Sequence, residues 1–266
     1  MPGTRFSDVR RFESIDSTNR YLLDEARDGA PAGVVAVADH QTAGRGRLGR
    51  SWEAPAGANL LLSVLLRPSL DPAERHLVTT AVALAAVDAI DAVHRADGAG
   101  ATTAVFVKWP NDLVTTDGRK LAGVLAEADL GSGPPGRPSP VVVGIGLNVN
   151  WPASDADLPP ELSGSAASLR QLTGAPVDRE ALLGAFLDAL GPRVDALDSP
   201  GGRAGLAAEL RAVCSTIGTT VRVDLPDGPI TGTATGVSDE GHLVVDVGGV
   251  TRTVVAGDVV HIRPAG

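Results

Sequence analysis

The chain has 266 residues, with 32 acidic against 23 basic side chains and a formal net charge of −9. This length supports one domain of ordinary size plus a small second one without disulfide or metal staples, and the acidic balance argues against a protein that coats nucleic acid backbone. Hydrophobic residues at 43% and charged residues at 21% are ordinary for a folded globular chain. Cys214 is the only cysteine, so an internal disulfide and a zinc site with several thiolates are both excluded. No basic segment followed by an apolar one comes after Met1, and no apolar run approaches the roughly 18 residues of a membrane span; a cytoplasmic protein is expected.

In chain order, Asp16-Ser17-Thr18-Asn19 offers caps for a short helix that Gly29 and Pro31 stop. Val34 to Ala38 reads as a buried strand, and Gly44-Arg45-Gly46-Arg47-Leu48-Gly49-Arg50, which has no apolar periodicity, as a loop. Leu60 to Leu66 is a strand by composition, though its pattern also fits a short helix. Asp71-Pro72-Ala73-Glu74 has the form of an N-cap, a proline at the first helical position and a glutamate at the third, opening an alanine-rich helix to about Arg95. Val105 to Lys108, Leu121 to Glu127 and Val141 to Gly146 are strand-like, with the Gly- and Pro-rich loop Gly131 to Pro140 joining the last two as a hairpin. Asp178 to Leu190 and Arg203 to Val213 read as helices.

After Cys214 the texture changes to five short β-type runs: Thr220 to Leu225, Thr231 to Val237, His242 to Val247, Thr251 to Val255 and Val259 to Ile262. The turn signals Pro226-Asp227-Gly228 and Asp239-Glu240-Gly241 punctuate them. The expectation is α+β: a mixed, largely antiparallel sheet packed with helices over residues 1–214, then a small SH3-like β-barrel over residues 215–266.

The arginine loop matches the dinucleotide pattern G-x-G-x-x-G, but the following Ser51-Trp52-Glu53-Ala54-Pro55-Ala56-Gly57 cannot begin the helix that such a site requires. What remains is a flexible backbone bearing Arg45, Arg47 and Arg50, suited to phosphate or carboxylate oxygens, though taken alone such a run more often reads as a solvated basic loop. Only two of the 23 basic residues are lysines, Lys108 and Lys120, so a retained lysine draws notice where a compact charge meets a reacting phosphate. In Lys108-Trp109-Pro110-Asn111-Asp112 a lysine ends a strand before a rigid turn, and Asp112 offers a carboxylate to magnesium or simply caps that turn. Gly144-Ile145-Gly146-Leu147-Asn148 removes two side chains at a strand end, either to admit a flat ligand or to form a bulge, and Asn148 either reads an adenine edge or forms a turn. No histidine pair has metal-ligand spacing, and neither a G-x-S-x-G elbow nor a P-loop is present.

Together, Ser17-Thr18-Asn19, the run from His40 to Trp52, Lys108 to Asp112, Lys120-Leu121-Ala122-Gly123 and Gly144 to Asn148 resemble the biotin–protein ligase family in order and spacing, from about residue 12 to the end. The resemblance implies a two-step reaction: the biotin carboxylate attacks the α-phosphate of ATP to give biotinyl-adenylate and pyrophosphate, then a carrier lysine attacks the acyl carbon and expels AMP. It implies that Ser17, Thr18, Asn19 and Gln41 hold the ureido head of biotin, and that Arg45, Gly46 and Arg47 close over the adenylate. Lys108 then stabilises the reacting phosphate, Gly144, Gly146 and Asn148 line the adenylate site, and Trp52 and Trp109 frame it. Gly44, Asn111 and Gly123 join the binding set, with magnesium carried on the phosphates beside Asp112. The implied partners are biotin, ATP and a biotin carboxyl carrier domain of an acyl-CoA carboxylase or pyruvate carboxylase; a homodimer is compatible. With sixteen residues ahead of Ser17, the resemblance is to the monofunctional type that lacks a DNA-reading domain. The rival readings are a lipoate–protein ligase or octanoyltransferase and a non-catalytic binding module.

Overall fold

The computed structural model describes residues 5–96, 105–128, 138–225, 228–255 and 257–261. The chain opens with β1 (Val9–Ile15), α1 (Thr18–Arg27), β2 (Val35–Gln41) and β3 (Leu60–Leu66). Next come α2 (Leu77–Ala96), β4 (Val105–Lys108), β5 (Asp112–Thr115), β6 (Lys120–Ala128) and β7 (Val141–Leu147), then α3 (Leu169–Thr173), α4 (Arg179–Leu197) and α5 (Pro200–Val213). The seven strands form one sheet in the order β1-β2-β3-β7-β6-β5-β4. Only β1 and β2 run parallel, so the sheet is mixed and largely antiparallel, as the sequence implied.

Strand alternation divides the sheet into two faces. Leu62, Val64, Val143, Ile145, Ala122 and Val124 point into the main core with α2 and α4, while Leu65, Val142 and Ala36 point the other way, onto Leu22 and Ala26 of α1. Since both faces are covered, all seven residues of β3 are buried, which accounts for its unbroken apolar run. The α1 face carries Ser63, Gly144, Gly146, Gly123 and Leu125 in register across β3, β7 and β6.

The structure departs from the sequence expectations at several points. β1 escaped the pattern because Val9–Ile15 mixes charged and apolar residues, and β5 because it is only four residues long. At Asp71 a 3-10 turn, Pro72–Glu74, precedes α2; the Asp71 side chain makes no capping bond, and Glu74 instead pairs with Arg203 of α5 at 2.9 Å. The segment Pro72–Ala96 is long and apolar enough to cross a membrane by length and composition, contrary to the sequence reading. Most of it is buried against the sheet, α4 and α5, the surroundings of a core helix. The stripe Leu183, Phe186, Leu190, Val194 and Leu197 carries α4 seven residues beyond the expected end and through Pro192. Residues 131–137 of the expected hairpin loop, and Pro226 and Asp227 of the expected turn, lie outside the described residues.

Five antiparallel strands follow: β8 (Thr220–Asp224), β9 (Ile230–Val237), β10 (Leu243–Val247), β11 (Val250–Val254) and β12 (Asp258–His261), in the order β11-β10-β9-β8-β12. Among the described residues no ladder joins β11 to β12, so the expected barrel is an unclosed sheet. It is fastened to the first sheet at Trp109, which is 3% exposed; its backbone N–H donates to Thr216 Oγ1 at 3.0 Å and its Nε1 to the Gly241 carbonyl at 3.1 Å. Cys214, whose thiol burial pushes its pKa up, lies buried at the same junction beside Val107.

Candidate active site

A cavity of about 1200 Å³ opens on the α1 face of the large sheet. Its lining includes Ser17, Thr18, Asn19, Gln41, Arg45, Gly46, Arg47, Trp52, Asn111, Asp112, Gly123, Gly144, Gly146 and Asn148, which the sequence scattered over more than 130 positions. The site is thus built where α1, the arginine loop and the glycine-bearing centre of the sheet converge.

One end is a buried polar cluster. Ser17 caps α1 by accepting from the Arg20 N–H, placing Thr18 and Asn19 in the first turn. Gln41 Oε1 accepts from the Thr18 N–H at 2.8 Å, and the Thr18 and Ser63 hydroxyls lie 2.7 Å apart. Ser63 donates to Asn19 Oδ1 at 2.6 Å, while Asn19 Nδ2 donates to the Leu125 carbonyl and to Glu127 Oε2. Gly144 is required here, because a Cβ would overlap Asn19 Oδ1 and come within 3.0 Å of Ser63 Oγ.

The other end is cationic and aromatic. Gly146 and Gly123 are cross-strand partners, and the Trp52 indole lies across them: a Cβ on Gly146 would sit 2.6 Å from Trp52 Cε2, and one on Gly123 3.3 Å from Cζ3. The flat group admitted by the missing side chains is therefore a tryptophan of this chain. Lys120 Nζ lies 5.5 Å from the centroid of the Trp52 ring and 2.7 Å from Asp112 Oδ1. The backbone of Lys120 is clasped by the following loop, accepting from the Ala167 N–H at 2.9 Å and donating to the Ser165 carbonyl at 2.8 Å. Asn148 anchors that loop too, donating to the Ala167 carbonyl at 3.0 Å and accepting from Asn59 at 3.2 Å.

The arginine run is a loop whose ends are joined by an Arg45–Ser51 bridge and by the Trp52 N–H donating to the Gly44 carbonyl at 3.0 Å. Leu48, at its tip, is 73% exposed with φ 57°, a left-handed conformation in a residue with a side chain. Arg47 donates to Asn111 Oδ1 at 2.9 Å and to the Gly257 carbonyl at 3.0 Å, and Arg45 to Glu127 Oε2 at 3.0 Å. A second cavity, about 580 Å³, lies across the loop, sharing Arg45, Gly46, Arg47 and Asn111 and reaching His76, Trp109, Glu127 and Val255.

Three expectations need correction. Lys108 does not line the cavity: it sits on edge strand β4, and the carboxylate of its cross-strand neighbour Asp112 is engaged by Lys120. Gly44 does not line it either; a Cβ there would strike the Trp52 carbonyl, so its role is to close the loop base. Trp109 belongs to the sheet junction and the second cavity. Asp112 does line the cavity, where its carboxylate pairs with Lys120. The sequence reading gave no role to Ser63, Lys120 or Glu127; for Lys120 the signal was present, since it is the second of only two lysines.

Residues 11–148 match the family described as biotin/lipoate A/B protein ligase, and residues 216–262 the biotin protein ligase C-terminal domain. The chain is 40% identical over 250 residues to the biotin–[acetyl-CoA-carboxylase] ligase of Mycobacterium tuberculosis, covering 93% of this chain and 86% of that one. It is 33% identical over 245 residues to the bifunctional ligase/repressor BirA of Bacillus spizizenii, covering 92% and 71%. The biotin protein ligase of Aquifex aeolicus, solved in complex with biotin and ATP, superposes with a TM-score of 0.79 at 25% identity, covering 97% of this chain and all of that one. The chain belongs to the biotin/lipoate A/B protein ligase family, among its biotin–protein ligases.

Proposed function

We propose that this enzyme joins biotin to AMP and passes the biotinyl group to a lysine of a biotin carboxyl carrier domain. The observation that carries this reading is a single cavity with a buried hydrogen-bonding pocket at Thr18, Asn19, Gln41 and Ser63 and a cationic region at Lys120, Arg45 and Arg47. A ureido ring needs both donors and acceptors in a tight pocket, because a buried polar group left unpaired costs about 1–3 kcal/mol. A carboxylate and a triphosphate repel each other, so their approach needs fixed positive charge.

In the first step a biotin carboxylate oxygen bonds to the α-phosphorus and the bond to pyrophosphate breaks. Lys120 is the ammonium placed to meet the growing negative charge, with Trp52 and Asp112 holding it in the cavity wall. In the second step a neutral carrier amine attacks the acyl carbon, the acyl–oxygen bond to AMP breaks and the amine gives up a proton. The mixed anhydride hydrolyses readily, so a loop that excludes water retains it between steps. Magnesium would be carried on the nucleotide phosphates, with the Asp112 carboxylate in the cavity lining as the side chain that would help hold it. We assign catalysis to residues 1–214 and treat 215–266 as a separate β unit.

Incubation with biotin, ATP, magnesium and a carrier domain, followed by intact-mass measurement, tests the proposal. The carrier gains the mass of one biotin; Lys120→Ala lowers the rate at least a hundredfold, and Lys108→Ala far less. A carrier that gains mass only with lipoate, or an unimpaired Lys120→Ala, overturns it.

A further inference from the structure

Glu127 stands where Asn19 of the polar pocket meets Arg45 of the arginine loop. β6 alternates, so Glu127 projects from the same face as Gly123 and Leu125; it lines the second cavity, while its partner Asn19 lines the first. A single carboxylate oxygen, Oε2, accepts from Asn19 Nδ2 at 2.7 Å and from Arg45 Nη2 at 3.0 Å. Asn19 is 5% exposed, so the way its amide faces is fixed by neighbours and not by water. Its Oδ1 receives Ser63 and its Nδ2 meets two acceptors, the Leu125 carbonyl and Glu127. Turning the amide over would set its oxygen against a carbonyl and a carboxylate.

We propose that Glu127 is a positioning residue that couples the arginine loop to the head pocket. Resting on the biotin-ligase reading above, the proposal states that Glu127 orients Asn19 for the substrate ring and at the same time docks Arg45, so that loop closure and ring binding favour each other. Two donors on one carboxylate oxygen make this coupling physical. An Arg45 docked on Glu127 fixes the carboxylate where Asn19 meets it, and an Asn19 held by substrate keeps Glu127 in place for Arg45. The bond to Arg45 is charge-assisted on both sides and the bond to Asn19 on one, so a glutamine at 127 keeps an acceptor for Asn19 and loses the ion pair.

The test is a steady-state comparison of Glu127→Ala and Glu127→Gln with the parent, by biotin- and ATP-dependent pyrophosphate release, plus biotin binding by calorimetry. Glu127→Ala raises the KM for biotin at least tenfold and the KM for ATP less than threefold, while Glu127→Gln raises the KM for biotin less than threefold. The glutamine variant keeps the shape of the side chain and so reports even where the alanine variant folds poorly. In a double-mutant cycle on biotin binding, Arg45→Ala and Glu127→Ala together cost at least threefold less than the product of their separate effects. Equal changes in both KM values, no change in either, or multiplicative effects in the cycle overturn the coupling. A parent protein that releases no pyrophosphate with biotin and ATP overturns the ligase reading instead, and the inference with it.

Discussion

Gly144 and Gly146 are kept free of side chains for different neighbours: the first for Asn19 and Ser63, the second for the Trp52 indole. A glycine in a strand costs about 0.5–1 kcal/mol relative to alanine, so each position gives up stability to make room. Gly144→Ala should therefore leave the melting temperature within a few degrees while weakening biotin binding at least tenfold by calorimetry, because Asn19 must move. Gly236→Ala in β9 is the control: nothing lies within 4 Å of its Cβ position, so it should leave binding unchanged and stability equal or raised. A Gly144→Ala protein that binds biotin normally would refute the fit. The need for small residues was legible in the sequence, but not what fills the space, since Trp52 reaches the glycines only through the fold. The choice between Lys108 and Lys120 was hidden for a related reason. It depends on the pairing of β5 with β6, where the register shifts between Leu113 and Val114, and no local pattern reports such a shift.

Among the elements, the arginine loop does most to connect distant parts, because Arg47 bonds to Asn111 at the turn after β4 and to Gly257 before β12. It was legible as a loop because its glycines and arginines form no apolar period, yet its two anchors lie 64 and 210 positions away and left no trace in the sequence. Removing the guanidinium in Arg47→Gly loses both anchors and restores a freely moving backbone. The loop then no longer seals the cavity, and the variant should release biotinyl-adenylate into solution at least tenfold faster than the parent when no carrier is present. Chromatography of the filtrate after ultrafiltration measures this, and retention equal to the parent's would remove the loop from that role. β7 was legible as a strand from its apolar run, whereas the unbroken run of β3, buried on both faces, also fitted a short helix until its pairing with β2 and β7 was seen. β1 was not, since an edge strand that exposes alternate charged residues resembles a loop in composition.

At the scale of the whole molecule, His76, His242 and His261 lie where the C-terminal sheet meets the large one. His76 and His242 stack with ring centroids 4.8 Å apart, and His76 Nε2 lies 2.6 Å from the Glu240 carbonyl. Burial, then the charge of His76, lowers the His242 pKa, with Glu240 acting weakly against them. His261 is pushed down to about 4, chiefly by burial and secondarily by the Lys108 ammonium. His261 Nε2 lies 3.1 Å from Thr216 Oγ1, which also accepts from the Trp109 N–H, and burial favours the neutral ring. The unfolded chain takes up these protons near pH 6.5, but the folded chain holds His261 neutral until about pH 4. Stability is therefore full above the unfolded value and declines as the pH falls from about 6.5 to about 4, because the unfolded state binds more protons throughout that window. Since His261 is only partly buried, its share is about 1 kcal/mol, less than its shift alone would imply. His261→Gln keeps an acceptor near Thr216 but cannot titrate, so urea unfolding at pH 7, 5.5 and 4.5 should show a shallower loss of stability in the variant. Parallel pH profiles for the two proteins would mean that His261 titrates alike in the folded and unfolded chains and contributes no pH dependence to stability.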